Sequence, residues 1–218
     1  MESHIVALEE LSKKHGEIGN SLYHACNASL FPADILAFSV LERSLQLLKG
    51  FCLLMRNEGY VCAVPLLRMQ LDSVLRFYGI VTMDDPHETA QSVIDGKALS
   101  KIEDMDGKEM TDRHLVERLS VKNPQIHDVY KAACSYVHFS NEHFVLFAAR
   151  SKKIIKDGNR EICIGDDDAH IPMENKLGLI NDFKVITKAV LNLVEHWCSD
   201  RHNYGDIGSL RERFTHRL

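Results

Sequence analysis

The residues best placed to do chemistry are Lys131 and His138, inside the stretch YKAACSYVHFSNEH that covers residues 130–143. They stand seven positions apart, close to two full helical turns, so on a helix both side chains point the same way and can converge on one anionic group. An imidazole is the one side chain here whose ordinary pKa permits proton transfer near neutrality, and an ammonium binds a phosphate as a point charge. Ser135 and Asn141 can add hydrogen bonds to the same ligand, whereas Tyr130 projects about 80° around the helix from His138 and is expected to pack. A purely structural account also fits these residues: a histidine at a helix C-terminus is favoured by the macrodipole, and Lys131 is then a solvated surface charge.

Other constellations are weaker. His143 lies five residues after His138, which on a helix sets the two imidazoles about 140° apart, and no paired metal-ligand spacing accompanies them. Neither a metal site nor a cofactor is expected. Asp166, Asp167 and Asp168, followed by His170, lack the glycine and terminal glutamate of a calcium loop and read as a solvated lead-in to a helix. Arg68, Asp72 and Arg76 recur every four residues. They make either an exposed stripe of i,i+4 ion pairs or a set of cations turned towards the helix that carries Lys131 and His138. In the second case Arg68 and Arg76 join the substrate-binding residues.

Composition narrows the classes of function. The 218 residues carry a net charge of −5, with 45% hydrophobic and 26% charged residues. Non-specific nucleic-acid binding relies on clustered lysines and arginines, so any such site must be a local cleft. Six cysteines (Cys26, Cys52, Cys62, Cys134, Cys163 and Cys198) are scattered singly. They are expected to be reduced and mostly buried. The N-terminus lacks a basic, apolar and small-residue succession, and no apolar run is long enough for a bilayer, so a cytoplasmic protein without membrane association is expected.

The elements that must position these side chains are helices. Apolar residues at helical spacing predict a first helix over residues 5–28, bent near Gly16 and Gly19. Longer helices are predicted over 34–57, with Asp34 as an N-terminal anion, and over 60–83, with Pro65 near its start. The short connection at Gly59 makes those two antiparallel neighbours. Residues 84–123 form a polar excursion with short helices at 88–97 and 111–119. A further helix begins at Asn123-Pro124 and ends near His138. Around Asp157-Gly158-Asn159 the apolar runs FVLFAARS and REICIG predict a β-hairpin over 144–165. A last long helix covers 172–199, and the mildly basic tail, 205–218, is expected to fray or to pack on a partner.

The fold class is therefore all-α: one domain over residues 1–218, a bundle of four to five long helices with a small hairpin before the last. This order, with VPLLRMQLDSVLRF on one helix and YKAACSYVHFS closing a later one, resembles the HEPN superfamily, in particular its branch of uncharacterised bacterial proteins. The resemblance covers residues 34–199. It implies a helical bundle with an Arg, four to six residues, then His motif, many members being dimeric, metal-independent ribonucleases of toxin–antitoxin and phage-defence systems. Lys131 and His138 match the spacing, with Lys standing where Arg is usual. The bidentate fork of Arg is thereby lost while the charge is kept. The implied reaction is attack of a ribose 2′-hydroxyl on the adjacent phosphate, with His138 and Lys131 catalytic; the implied partners are RNA, a second copy of the chain, and an antitoxin or other protein. A non-catalytic helical module that binds RNA or protein is the alternative.

Overall fold

The computed structural model describes residues 1–25, 29–138, 140–151 and 162–214. Ten α-helices appear among them: α1 (Glu2–Glu9), α2 (Leu11–Ala25), α3 (Pro32–Arg56), α4 (Tyr60–Val81), α5 (Pro86–Ile94), α6 (Asp112–Ser120), α7 (Gln125–Val137), α8 (Asn141–Arg150), α9 (Met173–Asp200) and α10 (Ile207–Phe214). No strand is formed by these residues; the only ladder-like contact among them is the single antiparallel bridge Glu103 to Glu109. None of these helices is long and apolar enough to cross a membrane.

The core is built by α3, α4 and α9, with α1 and α2 along one side and α7 against α4. Pro32 opens α3 and Asp34 accepts the Phe31 amide at 3.0 Å. The helix then buries Ala37, Leu41, Leu48, Phe51 and Met55 along one stripe. Phe51 stacks on Phe183 of α9 with ring centroids 4.0 Å apart. Between α3 and α4 the left-handed residue is Glu58 (φ 56°), not Gly59. Gly59 is needed for a different reason: a Cβ there would meet the Leu54 carbonyl oxygen at 3.1 Å. The reversal thus comes from close packing of the chain on its own preceding turn.

A buried polar thread fixes the register of four helices. His15 donates from Nδ1 to the Leu11 carbonyl (2.9 Å), and its Nε2 accepts from Ser44 Oγ at 3.0 Å. Gln70 Nε2 donates to Ser44 Oγ (2.6 Å) and to Thr187 Oγ1 (3.0 Å), so α2, α3, α4 and α9 meet on one chain of bonds. A slipped helix would strand these groups without partners, which is costlier than a slipped apolar contact.

Several expectations are corrected. The first helical segment breaks at Glu10, not at the glycines, because Ile18 and Leu22 pack firmly enough to carry Gly16 and Gly19 inside α2. FVLFAAR is the body of α8 and not a strand, since Ser140 caps it as a helix; the Asp157-Gly158-Asn159 turn lies outside the described residues. The 84–123 excursion is anchored, with Leu99, Met110, Leu115 and Val116 in the core. Its hub is Asp104, which receives His114 Nε2 at 2.6 Å, Arg118 at 3.2 Å and two backbone amides. Burial works to raise its carboxyl, but the His114 and backbone hydrogen bonds prevail and hold it down at about 2. Among the described cysteines Cys52 is buried, its thiol pushed up to about 12 chiefly by burial, while Cys62 is exposed.

The described part of the tail, residues 205–214, packs on the bundle. Residues 207–214 form α10, whose Leu210 and Phe214 pack with Phe31 in a small second core. Beneath it, Asp34 takes Arg201 through Nε and Nη2, both at 2.8 Å, and the Trp197 indole N–H at 3.1 Å. His87, fully buried, is enclosed by the rings of Phe31, Trp197 and Phe214. Burial drives its pKa down to about 4.

Candidate functional site

Helix α7 starts one residue after Pro124 and ends at Val137, where His138 closes it with extended backbone (φ −103°, ψ 145°) and a long bond from its amide to the Cys134 carbonyl. Lys131 and His138 are both exposed. Neither side chain makes a hydrogen bond or ion pair within the described residues. Lys131 lines a groove of 410 Å3 between α6 and α7, with Arg113, Glu117, His127, Tyr130 and Cys134. His138 does not line it. The two residues therefore share α7 and solvent, but the groove reaches only one of them.

The residues after His138 are occupied with turning the chain. Ser140 caps α8, its Oγ accepting from the Glu142 amide at 3.3 Å and donating to the Ser135 carbonyl at 2.7 Å. The Ser140 amide donates in return to His143 Nδ1 at 3.3 Å, a capping box with an imidazole in the usual place of a carboxylate. Ser135 spends its own hydroxyl proton on the Ala132 carbonyl (2.7 Å), leaving it only as an acceptor for a ligand. Asn141 is the exposed first residue of α8.

Helix α4 brings the other cations. Arg68 is not on an exposed stripe: its side chain is 15% exposed and its guanidinium lies over the Tyr130 ring, 4.8 Å from the centroid. It therefore packs against α7 beside Lys131. Its Nη2 donates to Asp112 at 2.5 Å, and Arg76 binds the other oxygen of the same carboxylate. Arg76 also reaches Asp72 at 3.1 Å, which holds Arg43 of α3 at 3.0 Å. Three guanidiniums share two carboxylates, so this junction of α3, α4, α6 and α7 keeps a positive excess in an acidic chain. The Tyr130 phenol is pushed up, first by burial and then by the neighbouring Cys134, against the pull of Arg68.

Asp112 and the Ser140 capping box were not among the residues singled out from the sequence. The box was legible, since Ser140 precedes an apolar run by one turn; the bridge of Asp112 to Arg68 and Arg76 was not, because its partners are far apart in the chain. The acidic run also differs from the solvated loop expected. Asp168 is buried in an ion pair with Lys176, and Asp167 binds Arg150 at 3.0 Å. No group of three or more His, Cys, Asp or Glu is arranged to hold a metal ion among the described residues. Comparison with protein-family models, with curated proteins and with solved structures finds no match to this chain.

Proposed function

We propose that the chain is a HEPN-like RNA-binding protein that cleaves RNA without a metal, using the solvent side of α7. What carries this reading is the positive excess at the α4, α6 and α7 junction, set beside an exposed Lys131 and an exposed His138 that no partner among the described residues consumes. Lys131 holds a backbone phosphate on the solvent face of α7, outside the groove, and His138 removes the 2′-hydroxyl proton as that oxygen attacks phosphorus. The 5′-oxygen leaves with a proton taken from water, and a 2′,3′-cyclic phosphate remains, so the substrate must carry a ribose. The test is cleavage of RNA by the purified protein in EDTA, beside His138→Ala at equal concentration, with the ends examined for cyclic phosphate. Cleavage by the wild type alone supports the assignment, and equal cleavage by both removes His138 from the mechanism.

A second reading is favoured by α8, which has no buried residue and leaves Phe144 64%, Val145 49% and Phe147 42% exposed. An apolar face of this kind marks an interaction surface, in keeping with a non-catalytic module. Silence in the cleavage assay, together with a concentration-dependent mass in sedimentation that Phe147→Asp abolishes, would favour it.

A further inference from the structure

We propose that Arg68 and Arg76 form a clamp for a phosphodiester of single-stranded RNA, and that Asp112 occupies this clamp as an internal anion until the phosphate displaces it. The inference rests on the reading of the α7 face as an RNA site and names how the neighbouring cations take part.

The geometry of Asp112 is that of a stand-in. One carboxylate oxygen is taken by Arg68 and the other by Arg76, residues two turns apart on α4. Two guanidiniums gripping the two oxygens of one anion is an arrangement that a phosphate, with two non-ester oxygens, can adopt equally well. The clamp also survives the loss of Asp112. Asp72 stays within 3.1 Å of Arg76 and 3.9 Å of Arg68 and is itself tied to Arg43, so both guanidiniums remain aimed after the exchange.

Access and position agree with this. The side chains of Arg68, Arg76 and Asp112 are 15%, 31% and 27% exposed, dry enough to strengthen the contact and open enough for exchange without unfolding. Asp112 is followed directly by Arg113, which lines the groove of Lys131, and Arg68 covers Tyr130 on the opposite wall. In the proposed complex one phosphate of a strand lies on Lys131 and another on the clamp, the two being joined through Arg113 next to Asp112 and Tyr130 under Arg68.

The experiment reads binding without cleavage, using a single-stranded 2′-O-methyl oligonucleotide, which lacks the attacking hydroxyl, in anisotropy titrations at several salt concentrations. Asp112→Asn is expected to bind about tenfold more tightly than the wild type, the value of one charge-assisted contact released from an internal competitor. The dependence of log affinity on log salt should steepen by about 0.7 for the additional phosphate engaged. Glu195→Gln on α9 changes the net charge equally and should shift affinity by less than about twofold. If Asp112→Asn fails to fold, Arg76→Gln serves instead: the clamp predicts weaker binding and a slope shallower by about 0.7. Unchanged affinity and slope in whichever of these variants is folded would overturn the clamp and leave Asp112 as a tie between α4 and α6, as would the absence of oligonucleotide binding throughout. The two ideas fail separately. An Asp112→Asn gain in a protein that never cleaves RNA upholds the clamp and sinks the ribonuclease, and His138-dependent cleavage without that gain does the reverse.

Discussion

At the scale of single residues, exposure and burial separate side chains that look alike in the sequence. His138 and His87 are both histidines beside apolar residues, but one faces water and the other is sealed under α10. His138→Ala should therefore change unfolding free energy by less than about 0.5 kcal/mol, measured by urea denaturation, while abolishing any RNA cleavage that depends on it. His87 behaves oppositely. Its folded pKa of about 4 lies below the unfolded value of 6.5, so the unfolded chain binds more protons between those limits. The stabilisation is fully present above pH 6.5 and is lost as pH falls towards 4, by about 3 kcal/mol in all. The facing charges are Asp34 of α3, Arg201 after α9, Asp85 at the head of α5 and Arg213 of α10. His15, also lowered by burial, contributes in the same direction. Denaturation curves between pH 4 and 7.5 should flatten in His87→Gln, and an unchanged pH slope in that variant would assign the effect elsewhere.

Elements depend on caps and ties that differ in what they hold. Ser140 caps a helix with nothing buried, so Ser140→Ala should cost about 1 kcal/mol locally. It should appear as faster amide exchange across 141–150 and hardly at all in the global unfolding midpoint, because α8 can fray without opening the core. Asp34 is at once the first-turn anion of α3, the partner of Arg201 and the acceptor for Trp197. Asp34→Ala takes the carboxylate from the buried Arg201 guanidinium, which keeps the Ser29 carbonyl at 3.2 Å, and takes the acceptor from the Trp197 indole N–H, and a loss of about 3–5 kcal/mol is expected by chemical denaturation. A loss below 1 kcal/mol would mean that water reaches Arg201 when the carboxylate is removed.

Over the whole molecule, α10 closes the end of the bundle that α3, α5 and α9 leave open. Phe214→Ala removes one of three rings around His87 and should cost about 3–5 kcal/mol. The same variant should weaken the pH dependence assigned to His87, since water then reaches the imidazole. Both effects are read from one set of denaturation curves. The charge distribution works at this scale too, because a chain that is acidic overall sets three guanidiniums against two carboxylates at a junction of helices beside α7. That junction is where the proposed RNA contact falls.

The amino-acid order alone determined the helices with broad apolar stripes. For α3, α4 and α9 the burial of one face at period 3.6 overrides local detail, so their spans were legible to within a few residues. It also marked His138 at the end of a helix and Lys131 two turns earlier. Short apolar runs were not decided in this way. FVLFAA suits a strand or a helix, and the capping box at Ser140 resolved it as α8. What the tertiary structure alone decided was which charges meet. The pairs Asp112 with Arg68 and Arg76, Asp34 with Arg201, and Asp168 with Lys176 join residues that no periodicity links, because they exist only where packed helices bring distant turns within hydrogen-bond reach. The docking of α10 was hidden for the same reason, since a segment of eight residues with three large apolar side chains looks unanchored until Phe31 and His87 are brought beneath it.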